Sequence, residues 1–151
     1  MAKKKAESNP VDAMEQVVTI AKHVYEKLGS GYSEEVYHRS MQVGLRLAGL
    51  RYDSKKVVEL QYEGHYVGEA FPDLVIIFES EKIVVELKAI MGSLGHAEEQ
   101  QLRNYLNLLG ATRGVLINFQ QPGKTQGTTK LEKRELTIIA EAPPLADSVS
   151  G

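Results

Sequence analysis

Two apolar runs, DLVIIF (73–78) and KIVVELK (82–88), are parted only by the short charged stretch Glu79-Ser80-Glu81. That closeness restricts the fold more than any other feature. Buried backbone N–H and C=O groups need partners, and a connection this short suits an antiparallel hairpin and no crossover. Side chains alternate along a strand, so Asp73, Val75 and Ile77 share one face, while Val84, Glu86 and Lys88 share a face of the partner. In a regular hairpin, opposed residue numbers add to a constant. A sum of 159 sets Asp73 opposite Glu86; a sum of 161 sets it opposite Lys88, with Glu86 opposite Val75. Either odd sum gathers Asp73, Glu86 and Lys88 on one face, at the end away from the turn. An even sum turns Asp73 through to the other side.

The rest of the chain supplies elements to cover such a hairpin. Asn9-Pro10 suits a helix start, and Val11, Met14, Val17, Val18, Ala21, Val24, Tyr25 and Leu28 recur at helical spacing, predicting a helix over about 10–28. Ser33 opens a second helix over about 34–48, stopped by Gly49. Strands are expected at 57–63 and 65–71, around Gly64, and with the hairpin they read as a meander of four. A third helix is expected over 96–109, ended by Gly110, then a nearly all-apolar strand, GVLINF, at 114–119. Such a strand belongs inside a sheet covered on both faces. Residues 120–130 read as a mobile loop and 134–141 as a last strand. The order favours an α/β fold with a mixed central sheet flanked by helices, one domain over 10–141, and flexible tails at 1–9 and 142–151.

Two carboxylates about 5 Å apart on adjoining strands repel each other in a partly dry cleft unless a cation lies between them. Their oxygens, with a main-chain carbonyl and waters, form the hard-oxygen environment that Mg²⁺ prefers. Such an ion can polarise a phosphoryl oxygen and lower the pKa of bound water. Lys88 would reach over the same place, to orient water or hold a phosphate. The plainer reading is that charged residues simply finish and protect strand ends.

Composition narrows the alternatives. With 151 residues, 42% hydrophobic and 25% charged, the chain suits one globular core. It has no cysteine, and its four histidines form no HExxH pair, which argues against thiol chemistry and the common zinc hydrolases. No apolar segment approaches the length of a membrane span, so no membrane partner and a cytoplasmic location are expected. Eighteen basic and twenty acidic residues give a net charge of −2, which neither supports nor excludes nucleic acid as a partner.

On the helices, Glu34 and Tyr37 in GYSEEVY lie three apart at a helix start. Glu34 there complements the helix dipole, or reaches a metal through water. Gln101 and Tyr105 are one turn apart on the third helix, with Tyr105 read as a packed residue whose hydroxyl is at the rim. His38 and His96 read as capping or surface histidines.

Together these segments resemble the GxxExxY proteins, a branch of the PD-(D/E)xK nuclease superfamily with the restriction-endonuclease-like fold. Gly31-Tyr32-Ser33-Glu34-Glu35-Val36-Tyr37 corresponds to the name motif, and Pro72-Asp73 with Glu86-Leu87-Lys88 to the superfamily motif. Glu99 to Leu106 resembles the helix signature, and GVLINF the strand after it. The likeness runs from about 11 to 140. One position departs from the pattern: relatives often carry His just before Glu99, where this chain has Glu98.

The resemblance implies Asp73 and Glu86 as metal ligands and Lys88 as the catalytic lysine. Glu34 is implied as an auxiliary carboxylate and Gln101 as an additional site residue. The expected activity is a Mg²⁺- or Mn²⁺-dependent deoxyribonuclease, with the Leu87 carbonyl completing the ion's protein ligands. The alternative is a nucleic-acid-binding or protein-interaction module that keeps the fold without cleaving. A homodimer is a further expectation, since so small a chain has little surface for gripping a duplex. Pairing two copies would extend a basic track drawn from Lys55, Lys56, Lys124, Lys130, Lys133 and Arg134.

Overall fold

The computed structural model describes residues 12–123 and 129–137. Helices α1 (Ala13–Leu28) and α2 (Glu34–Leu47) come first, then strands β1 (Arg51–Ser54), β2 (Val58–Tyr62), β3 (His65–Ala70), β4 (Leu74–Phe78) and β5 (Glu81–Lys88). Helix α3 (His96–Leu109) leads into β6 (Arg113–Phe119) and β7 (Leu131–Thr137). A five-stranded sheet has the order β1-β4-β5-β6-β7. Only β5 and β6 run parallel, which is why a helix is needed between them; the other pairs are antiparallel.

The hairpin takes the tighter of the two odd registers. Leu74 pairs with Val85, and every pair down to Phe78 with Glu81 sums to 159. Only Glu79 and Ser80 then remain in the turn, and Glu79 adopts φ 58° to close it. Extended by one step, this register sets Asp73 beside Glu86.

Alternation along these strands sorts the core into two layers. Leu74, Ile76, Ile83, Val85, Leu87, Val115, Ile117 and Phe119 meet α1 and α2 on one face. Val84 and Leu116 point the other way, against Leu102 and Leu106 of α3. Glu86 and Lys88 follow Val84 in this alternation, so they belong to the face that α3 covers. At the far end of the sheet, Arg113 joins Asp12 (2.6 Å) and Glu81 (3.4 Å), tying the start of α1 to the β4–β5 turn. That guanidinium holds the Asp12 carboxyl below its usual range.

The expected meander of four strands is not formed. β3 does not pair with β4; instead β1, which the hydrophobic pattern did not mark, occupies that edge through pairs such as Tyr52 with Ile76. β2 and β3 make a separate two-stranded sheet. Its alternation of apolar residues is real, but much of it faces solvent: Tyr62, Tyr66 and Val67 are all exposed. The last strand begins at Leu131, before the expected 134. The helix start at Asn9-Pro10, both tails, residues 124–128 of the expected loop and 138–141 of the last strand lie outside the described residues. Among the described residues, no helix is long and apolar enough to cross a membrane.

Gly114 sets how closely α3 lies on the sheet. A Cβ there would stand 2.9 Å from Leu102, 3.0 Å from Leu106 and 3.0 Å from the Val84 carbonyl oxygen. Since backbone is one of those neighbours, the helix would have to lift. Gly114→Ala is expected to destabilise the fold by about 1–3 kcal/mol, read as a lower midpoint in urea unfolding.

Candidate functional site

Asp73 precedes β4, and Glu86 lies near the end of β5. Each uses its carboxylate to accept from a main-chain N–H of the neighbouring segment. The Asp73 N–H donates to Glu86 Oε2 (2.8 Å), and the Leu87 N–H donates to Asp73 Oδ2 (2.8 Å). The Asp73 carbonyl accepts from the Lys55 N–H (2.9 Å) and lies 3.1 Å from His38 Nε2. Asp73 is therefore tied at its nitrogen, its carbonyl and one carboxylate oxygen.

The electrostatics follow from this seclusion. Glu86 is only 4% exposed. Burial, and then the charge of Asp73, push its pKa up to about 8, with Glu34 adding and the Lys88 ammonium opposing. Asp73 is also raised, first by burial; the Leu87 N–H, His38, Lys88 and Lys55 pull the other way. Glu34 stands on the exposed lip at the start of α2. Crowding by the protein on one side, then the Asp73 charge, raises it too. Lys88 is thus felt by all three acids, yet among the described residues it closes no direct ion pair with any of them.

A cleft of about 380 Å³ opens at this point, lined by Ser33, Glu34, Glu35, His38, Lys55 and Asp73. A larger groove of about 680 Å³ lies elsewhere, between α1 and α2, and its walls are mostly apolar. It lacks the convergent charged groups of the smaller cleft and is set apart from the acids.

The GxxExxY segment is explained by support as much as by chemistry. Gly31 adopts φ 107°, a conformation that a side chain would strain, and its N–H donates to Gln121 Oε1 (2.7 Å). The Gln121 amide donates to the Tyr37 hydroxyl (3.3 Å) and the Phe119 carbonyl (2.8 Å). Tyr37 donates to the Gly29 carbonyl (2.7 Å) and stacks on Phe119, with ring centres 4.5 Å apart. Although Glu34 and Tyr37 are near neighbours on the helix, Tyr37 enters the core and leaves Glu34 at the cleft.

Gln101 is exposed on α3 and has no hydrogen bond to either carboxylate. Tyr105, one turn later, is half-buried and comes closer: burial, then the charges of Glu86 and Asp73, raise its hydroxyl pKa. Glu98, at the position where relatives carry His, accepts from the Gly95 N–H (2.8 Å) and so caps α3. His96 is fully in solvent, as expected. His38 is a correction: it is 3% exposed and bonded beside Asp73, not a surface or capping residue. Its signal lay in the spacing of Glu34, His38 and Gln42, four apart on one helical face.

The expected basic track is largely neutralised. Lys55 pairs with Glu35, Lys56 with Asp53, Lys133 with Glu135, and Arg134 with Glu99 and Glu132. Lys124 lies outside the described residues.

A mixed sheet with helices on both faces, carrying paired acids and a lysine at adjoining strand ends, defines a restriction-endonuclease-like fold. Residues 11–131 match the family model of the PD-(D/E)XK nuclease superfamily, and the chain belongs to that superfamily. Its members are generally nucleases, typically with divalent metal ions. No curated protein matches the chain by sequence. Among solved structures it is similar to the crystal structure of SSO0001, with a TM-score of 0.53 and 16% identity. That likeness covers 78% of this chain and 56% of the other, and at such identity it concerns the fold alone.

The raised acids predict a pH dependence in the metal-free protein. The folded Glu86 holds its proton up to about 8, whereas its ordinary value is 4.5. The folded state therefore binds more protons between those values, and stability falls as pH rises through that window. Asp73 acts in the same direction. Glu86→Gln is expected to flatten the fall, as measured by urea unfolding at the two ends of the window; an unchanged slope would count against the burial of this acid.

Proposed function

We propose that the chain is a metal-dependent nuclease that hydrolyses DNA phosphodiester bonds, acting through Asp73, Glu86, Lys88 and Glu34 within one domain over 10–141. The observation that carries this reading is the reciprocal clamp of Asp73 and Glu86 under the charge of Lys88. The donor set fits a hard divalent cation such as Mg²⁺ or Mn²⁺. Each acid commits one oxygen to a main-chain N–H. Asp73 Oδ1 and Glu86 Oε1 receive no hydrogen bond among the described residues. No group of three His, Asp or Glu that could hold an ion occurs among those residues, so the Leu87 carbonyl and water would complete the shell.

When bound, such an ion supplies Lewis-acid polarisation of the phosphate and a more acidic water. The chain's own part is positional. With the ion bound, Asp73 and Glu86 would present their ionised carboxylates to it at the strand ends. Lys88 stands over them to orient the attacking water or the phosphate. Glu34, on the lip, accepts from water at the cleft mouth, and Tyr105 bounds the site from the α3 side. Gln101 is assigned to the approach of the substrate along α3.

The neutralised basic residues favour a second reading, a nucleic-acid-binding or protein-interaction module that keeps the fold without cleaving. A homodimer would lengthen the grip on a duplex, and a monomeric sedimentation mass at micromolar concentration would set it aside.

Cleavage of single-stranded, nicked, flapped and branched DNA with Mg²⁺ or Mn²⁺ separates the readings. Asp73→Ala and Glu86→Ala are expected to lose at least about a hundredfold in rate and to lose metal binding by calorimetry. Lys88→Met is expected to lower turnover by about 10²–10³-fold while leaving metal affinity nearly unchanged. Equal behaviour of wild type and Asp73→Ala on every substrate would favour the module.

A further inference from the structure

We propose that His38, which offers an Nε2 hydrogen to the Asp73 carbonyl, is a positioning residue that fastens α2 to Asp73. Its kinetic consequence rests on the nuclease reading; its structural consequence does not. His38 is buried one turn after Glu34. Its Nε2 lies 3.1 Å from the Asp73 carbonyl oxygen, and its Nδ1 lies 3.1 Å from Gln42 Nε2.

These partners assign the tautomer. A carbonyl oxygen can only accept, so Nε2 carries the hydrogen. An amide nitrogen can only donate, so Nδ1 offers a lone pair. The Gln42 amide also reaches Tyr52. Its Oε1 accepts from the Tyr52 hydroxyl (3.3 Å), which accepts from Arg46 (2.7 Å). Nε2 also has Ser54 Oγ at 3.5 Å, so both ring nitrogens are engaged within the fold.

The consequence is geometric. The Asp73 carbonyl receives a second donor, the Lys55 N–H, and Lys55 adopts φ 53°, which residues other than glycine rarely do. Helix α2, the segment after β1 and the start of β4 therefore converge on one oxygen. Since α2 also carries Glu34, the His38 bond sets the spacing between the lip carboxylate and the Asp73–Glu86 pair. A shift of Asp73 would loosen its carboxylate from the Leu87 N–H.

The test compares wild type, His38→Leu, His38→Gln and Gln42→Leu. Gln at 38 can still offer an amide hydrogen to the Asp73 carbonyl, whereas Leu cannot. In the metal-free proteins, His38→Leu is expected to speed amide hydrogen exchange at Leu87 and Lys55 about tenfold, and His38→Gln to restore most of the protection. Ring ¹⁵N resonances of wild type should show a hydrogen on Nε2, and those of Gln42→Leu should keep it, since the Asp73 carbonyl is still there to accept it.

Under the cleavage assay, His38→Leu is expected to lose about tenfold in kcat with KM unchanged, and His38→Gln to recover it. Unchanged exchange in His38→Leu, equal exchange in the Leu and Gln variants, or an Nδ1–H ring in wild type would overturn the proposal. Should His38→Leu not fold, Gln42→Leu decides instead: a ring that gives up its Nε2 hydrogen there overturns the hold of the Asp73 carbonyl. If wild type cleaves no DNA while exchange and tautomer behave as expected, the nuclease reading falls and the positioning role stands.

Discussion

The exchange of two hydrogen bonds between the Asp73 N–H and Glu86, and between the Leu87 N–H and Asp73, is the constraint on which the site depends. Two acids side by side in a buried place repel each other and lose hydration, and both effects favour their neutral forms. A hydrogen bond to an ionised group contributes about 1.5–3 kcal/mol, which offsets part of that cost without removing the charge. The arrangement also fixes register. Sliding β4 by one residue against β5 would carry Asp73 to the other face and leave buried N–H groups without acceptors. The apolar layers on both faces, with Ile83 and Val85 toward α1 and α2 and Val84 toward α3, oppose the same slip.

Around this pair, the supporting elements divide their work. Tyr37, stacked on Phe119 and linked to Gln121 and Gly29, fixes the entry into α2. Asn118, buried in β6, accepts from the Ile90 N–H and donates to the Gly92 carbonyl and Glu132, which fastens the chain just after Lys88. Gly114 lets α3 lie close enough for Tyr105 to feel both acids. The polar residues at the site are thus placed by contacts that are themselves mostly main-chain, and a backbone that cannot shift holds a carboxylate better than a flexible partner can.

What the sequence made legible follows from where periodicity has a physical cause. The helices and the strands β4, β5 and β6 could be read because each must present apolar residues to a packed face at a fixed interval. The hairpin register could be narrowed to two values because Asp73, Glu86 and Lys88 make sense together only in those. β1 was missed because RYDS contains a single apolar residue, Tyr52, and pairs at an edge. The detached hairpin β2–β3 carried the right alternation, but alternation cannot say whether anything covers it. His38 was misplaced for the opposite reason: the spacing of Glu34, His38 and Gln42 marks a helical face without showing what covers it, and the partner that buries His38, the Asp73 carbonyl, lies on another element. Charge counting failed similarly at the basic track, since it records Lys55, Lys56, Lys133 and Arg134 without the carboxylates that face them.

The contrast between Asp12 and Asp73 shows why the acids of the site are held by N–H groups and not by guanidinium or ammonium groups. Asp12 meets Arg113 directly, and its pKa is lowered because the guanidinium's hydrogen bonds and positive charge stabilise the carboxylate. Such a carboxylate has little left to offer a cation. Asp73 and Glu86 are held by N–H groups, which favour their ionised forms but are outweighed by burial and, at Glu86, by the Asp73 charge, so both pKa values rise. Lys88 stands near enough to be felt by both and by Glu34, yet closes no ion pair with them. Had it done so, the lysine would have been spent on neutralising the site. Without an ion pair among the described residues, it leaves the acids' demand for positive charge unmet, and ionised oxygens so placed suit a hard cation better than a permanent internal partner.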